Sequence, residues 1–114
     1  MHVTEMRKRV LGLEHPDTLT SMANLAETYR SQRRWKEAEE LQVEVIETRK
    51  KVLGAEHPDT LTSMNNLART WKGRDRDEEA VTLMRECVRV REHVLGPKHP
   101  FTSSSHGTLI AWEG

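Results

Sequence analysis

Apolar residues recur at spacings of three and four along most of this chain, the signature of helices with one buried face. Leu19, Met22, Leu25, Ala26 and Tyr29 form one stripe, and Leu61, Met64, Leu67, Ala68 and Trp71 form a second. Each stripe follows a His-Pro-Asp-Thr run. Pro16 and Pro58 suit the first helical turn, where the missing N–H costs nothing and the fixed φ is already helical. Asp17 and Asp59 then lie against the positive end of the helix dipole. Polar turns follow, Ser31-Gln32-Arg33 and Gly73-Arg74-Asp75.

A second kind of helix begins near Trp35 and near Asp77. Its stripe is Ala38, Leu41, Val45 and Ile46 in one copy and Ala80, Leu83, Cys87 and Val88 in the other. The small Ala38 and Ala80 are what close approach of two helices requires. These helices end at Val-Leu-Gly, with Gly12, Gly54 and Gly96 predicted to be left-handed C-terminal caps. The short linker to the next His-Pro pair forces an antiparallel neighbour. Because β-branched residues occur singly, no strand is predicted, and the chain reads as all-α: hairpins of a helix A and a helix B.

The stripes repeat because the sequence repeats. VLGLEHPDTLTSMANLA, from Val10, returns as VLGAEHPDTLTSMNNLA from Val52, and a degraded copy, VLGPKHPFTSSSHGTLI, runs from Val94. Comparing Val10–Lys51 with Val52–His93 gives 22 identities in 42 positions. A fixed period of this length marks a stacked solenoid whose units bury their apolar faces against one another. The predicted organisation is one array over residues 1–114: a partial helix B over 1–11, repeats over 10–51 and 52–93, and a partial repeat over 94–114. In that last part Ser103, Ser104, His106 and Gly107 replace Leu, Thr, Met and Ala or Asn. A glycine inside a helix costs about 1 kcal/mol relative to alanine, so this helix reads as a polar end cap, with Trp112 as its anchor against the preceding helix B.

Composition narrows the function. Only 35% of the 114 residues are apolar and 32% are charged, which suits a thin helical array with much solvated face. With 18 basic and 18 acidic residues, bulk charge attracts neither nucleic acid nor an anionic membrane. The basic pairs and triplets, Arg7-Lys8-Arg9 and Arg33-Arg34, are offset by neighbouring glutamates. No apolar run is long enough to span a bilayer, and the start carries no secretory pattern. A single cysteine, Cys87, has no internal partner, which favours a reducing, cytoplasmic setting.

Three candidate chemistries reduce to structural roles. His15, His57 and His99 suggest a metal, but successive units are separated by two helices, each about 8–10 Å across the contact, while zinc needs nitrogens at about 2 Å from one ion. Capping a free backbone N–H at the start of helix A fits them better. Cys87 occupies the core position held by Val45, with no base placed to activate it. The Ser103-Ser104-Ser105-His106 run lacks the strained turn of a nucleophilic serine, and adjacent helical residues point in different directions. No acid, base and nucleophile are spaced to share a pocket. The expectation is therefore a non-enzyme with no cofactor and no metal.

Leu25-Ala26, Tyr29 and Ala38, at their spacing, resemble the tetratricopeptide repeat. The 42-residue length, the LG-x-x-HPDT lead-in and the Asn65–Ala68 NNLA sequence resemble the long variant of kinesin light chains. WKEAEELQVEVIETRKKVLGAEHPDTLTSMNNLA is similar, closer still, to the C-terminal arrays of fungal NOD-like receptor proteins, where a solenoid senses ligand behind a nucleotide-driven switch domain. Nothing in this chain resembles the switch or effector domains. The resemblance implies a right-handed α–α superhelix with helix A lining a concave groove and helix B outside.

Carried over by position, the groove is faced by Thr20, Ala23, Asn24, Glu27 and Arg30, then by Thr62, Asn65, Asn66, Arg69 and Lys72. Ser104, Gly107, Thr108 and Ala111 would follow. Helix periodicity independently puts these residues opposite the Leu/Met stripe. The equivalent Asn24 and Asn66 each offer a peptide backbone a donor and an acceptor. Arg30, Arg69 and Lys72 suit acidic side chains or a C-terminal carboxylate. The alternative for the same residues is a solvated face, or asparagines bonded to the next helix. The leading expectation is a scaffold for a peptide or protein partner, with neither nucleic acid nor membrane bound. The competing one is homotypic assembly through complementary terminal half-repeats, which would form a ring, a filament or a helix-exchanged dimer.

Overall fold

The computed structural model describes residues 15–113, and among these it contains five helices and no strand. They are α1 (Pro16–Ser31), α2 (Trp35–Leu53), α3 (Pro58–Gly73), α4 (Asp77–Val94) and α5 (Pro100–Glu113). Thus α1, α3 and α5 are the A helices and α2 and α4 the B helices. The expected partial helix over 1–11, with Arg7-Lys8-Arg9, and the cap at Gly12 lie outside the described residues.

Each A helix starts where its proline allows. His15, His57 and His99 turn their rings back onto the first turn, and Nδ1 accepts from the N–H of Asp17, Asp59 and Phe101 respectively, each at 3.1 Å. One orphan donor per helix is satisfied in this way.

The ends of the helices differ from the expected pattern. Gly54 has φ 102° and ψ 155°, so its φ is positive but its ψ is extended. That is a region only glycine occupies freely, and it is not the left-handed helical cap the sequence suggested. The left-handed turns sit instead between A and B, at Arg33 (φ 62°) and Asp75 (φ 66°). There the N–H of Arg34 reaches the carbonyl of Tyr29 at 2.8 Å and that of Arg33 reaches Arg30 at 3.0 Å. Arg76 to Trp71 and Asp75 to Lys72 repeat the arrangement. This double closure is a Schellman motif built without glycine.

Packing runs along the chain, each helix mainly on its sequence neighbours. The result is a slab 43 × 29 × 18 Å, about two helices thick. Leu19, Met22 and Val45 hold α1 to α2. Ile46, Leu61, Met64, Leu67, Met84, Cys87, Val88 and Leu109 join α2 through α5. Each such large side chain contributes roughly 1.5–3 kcal/mol on burial. Ala26, Ala38, Ala68 and Ala80 are fully buried, and their size lets the paired helices approach. Gly73 serves a different contact. A Cβ there would stand 2.8 Å from the Trp35 ring, so the end of α3 is open for that indole.

Several buried positions are polar. Thr18, Thr60 and Thr102 are buried at equivalent sites, and the Thr60 hydroxyl donates to the Gly54 carbonyl at 2.9 Å. Gln42, Ser63 and Arg91 are buried as well. Leu25, by contrast, is only half-buried, while its counterpart Leu67 lies beneath α2 and α4. In α5 the expected polar character is partly right. Ser103, Ser104, His106 and Gly107 are exposed, whereas Ser105 and Leu109 are buried and Trp112 packs against the core.

Candidate functional site

The groove residues expected from the sequence lie on α1, α3 and α5. They divide into side chains spent on the fold and side chains left over. In α1, Glu27 accepts from Arg30 at 2.7 Å, so this acid and base neutralise each other. Thr20 and Asn24 are exposed. In α3, Lys72 stands 3.3 Å from Asp77. Asn65 accepts from the Ser105 hydroxyl at 3.1 Å, and Thr62 accepts from Arg91 at 3.2 Å. These last two link α3 to α4 and α5. Asn66 is half-buried, and Arg69 is exposed with no ion pair to any described residue.

Arg91 is the residue that sequence reasoning passed over. It lies in α4, 5% exposed, and donates to the Phe101 carbonyl, the Ser105 hydroxyl and the Thr62 hydroxyl. Among the described residues no carboxylate pairs with it, and burial lowers its pKa from the usual arginine value. Arg49, one repeat earlier, does the corresponding work by donating to Ser63 at 2.7 Å and to the Asp59 carbonyl at 3.4 Å. The available signal was a spacing: an arginine late in helix B and a serine fourteen residues on, at Arg49/Ser63 and again at Arg91/Ser105. This pair fastens each B helix to the next A helix.

A second unanticipated feature lies under the same face. Gln42 of α2 is 4% exposed, and neither its amide oxygen nor its nitrogen has a hydrogen-bond partner among the described residues. It lines a cavity of about 10 Å³ with Ala23, Val45, Ser63 and Asn66. Two of those, Ala23 and Asn66, are groove positions. The equivalent residue in the next repeat is Met84, fully buried.

The residues singled out for reactive chemistry are held in structural contacts. Burial pushes the Cys87 thiol up to about 12, against a smaller opposing effect from Arg91. Ser105 faces inward, bonded to Asn65 and Arg91. The three histidine rings are occupied with their own helices. Among the described residues no helix is long and apolar enough to cross a membrane.

Stacked A–B hairpins with a polar A face define a helical-repeat scaffold for protein–protein interaction. The chain belongs to the tetratricopeptide repeat family, whose profile matches residues 18–59 and 60–101. Among solved structures it is similar to the nearly identical TPR-like repeats assigned to a kinesin light chain of Podosopora anserina. The identity is 32% and the TM-score 0.87, over 96% of this chain and 52% of that one. A single-substitution variant of that protein gives the same values. BtubC (BKLC) from P. vanneervenii shares the fold at a TM-score of 0.85 and 20% identity, over 95% of this chain and 43% of that one. This chain therefore spans about half the length of the first of these proteins. No curated protein matches the sequence.

Proposed function

We propose that the chain binds an extended peptide segment of a partner protein along the α1–α3–α5 face. The observation that carries this is the division of labour on α3. Thr62, Asn65 and Lys72 are bonded within the fold, while Asn66 and Arg69 beside them stay available. Asn24 and Asn66 supply paired donors and acceptors to a peptide backbone, and Arg69 supplies a cation for an acidic side chain or chain end. An array of extended peptides, followed by titration of its tightest member, tests the reading. Asn66→Ala and Arg69→Glu should each weaken binding at least fivefold; unchanged affinity in both removes this face as the site.

A role as the sensing segment of a larger receptor rests on the sequence resemblance to fungal NOD-like receptor arrays. Reading the complete open frame tests it, since a nucleotide-binding switch domain upstream is the expected finding. Homotypic assembly has one specific support, the half-exposed Phe101 and Ile110 of α5. Light scattering over a concentration series decides it, and a monomer throughout excludes it.

A further inference from the structure

The opposite face, formed by α2 and α4, has a feature that peptide binding on the A helices does not use. Both B helices pack on α3, and between them a cleft of about 240 Å³ remains open. Its floor is apolar: Ile46, Met64, Leu67 and Leu83, with the Trp71 ring at one end. Val43, 40% exposed, extends the apolar surface onto the α2 wall. Beyond Trp71 and Leu83 the cleft continues into a shallower hollow of about 380 Å³ bordered by Glu78 and Glu86.

The walls are acidic. Glu47 of α2 and Glu86 of α4 both line the cleft, and Glu78 borders the hollow. None of these three has an ion-pair partner among the described residues, whereas Glu79 is taken by Arg76 and Glu39 by Arg74 and Arg76. Arg76 also lies over the Trp71 ring, 5.0 Å from its centroid. Lys50 is the one cation lining the cleft. The repeat itself does not demand this chemistry. At the equivalent positions one unit on, Val43 becomes Arg85 and Glu47 becomes Arg89. The α2–α4 junction therefore differs in charge from the junction that follows it.

We infer that the α2–α4 cleft docks a basic amphipathic segment of a partner protein, apolar side chains on Trp71 and Leu83 and lysines or arginines against Glu47 and Glu86. Such a segment gains apolar burial from the floor and charge pairing at the rim. Phosphate-bearing partners are repelled by the same carboxylates. The chain has no net charge, so attraction of a cation here reports the local field rather than the whole molecule.

The test uses two synthetic helical peptides of leucine with lysine and of leucine with glutamate, each titrated against the full chain by calorimetry. The lysine peptide should bind at least tenfold more tightly than its glutamate twin, and less tightly as salt rises. In a Glu47→Lys, Glu86→Lys double variant the order of preference should reverse. Both residues are exposed, and a circular dichroism spectrum matching the parent verifies the fold. Arg69→Glu, on the other face, should leave the lysine peptide unaffected. Equal binding of both peptides, binding of neither, an unaltered preference in the double variant, or loss through Arg69→Glu overturns the inference. The last result would also relocate binding to the A-helix face, which separates this test from that of the peptide groove.

Discussion

Exchanging the residues at positions 42 and 84 tests how the two repeats differ inside. Gln42 and Met84 are equivalent and both buried, but among the described residues the Gln42 amide has no partner for its oxygen or its nitrogen. Gln42→Met keeps the length of the side chain and removes two unpaired polar atoms. Mutational data put an unpaired buried polar group at about 1–3 kcal/mol. The adjoining cavity is about 10 Å³, close to the minimum for one water, and a water bound there would offset part of that cost. The expected gain is therefore about 1–2 kcal/mol, a rise in melting temperature of roughly 4 °C or more per kcal/mol. Met84→Gln introduces the same amide at a fully buried position, and should lose about 1–3 kcal/mol. Urea unfolding followed by far-ultraviolet circular dichroism measures both, with an unchanged m-value as the control for the unfolded state. A loss of more than about 1 kcal/mol in Gln42→Met refutes the reasoning, because it would mean the amide is well paired.

Three further outcomes follow from local geometry. His57→Ala should lose about 1 kcal/mol of stability by urea titration, and His57→Asn should lose little, because an asparagine oxygen can also accept from the Asp59 N–H. Arg33→Gly should gain about 0.5–1 kcal/mol in the same assay, since glycine takes positive φ without the steric cost an arginine bears. The Cys87 thiol should resist a thiol reagent in the native chain and react on unfolding. In the unfolded chain it ionises near the ordinary value of about 8.5, and in the fold burial holds it at about 12. Stability is therefore retained below the first value and falls as pH rises between the two. A Cys87→Val variant should lose that part of the alkaline slope.

The helices were legible because their markers are local. A proline after a histidine starts each A helix, and the three histidine caps follow from the same run. The burial of Cys87 follows from its register with Val45. Less legible were residues whose partner lies far along the chain. Asn65 meets Ser105, forty residues on, and Arg91 meets Thr62, twenty-nine back. In a single helix such residues look like solvated polar positions, and only stacking shows that they are occupied. Gln42 and Arg91 are polar residues within helix B, and nothing local in the sequence marks either as buried. Both A–B turns were legible, but the left-handed conformation of Arg33 and Asp75 was not, because neither position is a glycine. There the closing hydrogen bonds, not residue preference, hold the conformation.

The claim that matters most is that the A-helix face divides into residues that hold the stack together and residues that meet a partner. Parallel measurement of melting temperature and of affinity for the tightest arrayed peptide, on Asn65→Ala and on Arg69→Glu, tests it most directly. Asn65→Ala should lower stability by about 1 kcal/mol with affinity held within twofold, and Arg69→Glu should do the reverse, leaving stability intact and binding at least fivefold weaker. If the two substitutions instead affect stability and affinity alike, the face carries no such division and the account is wrong.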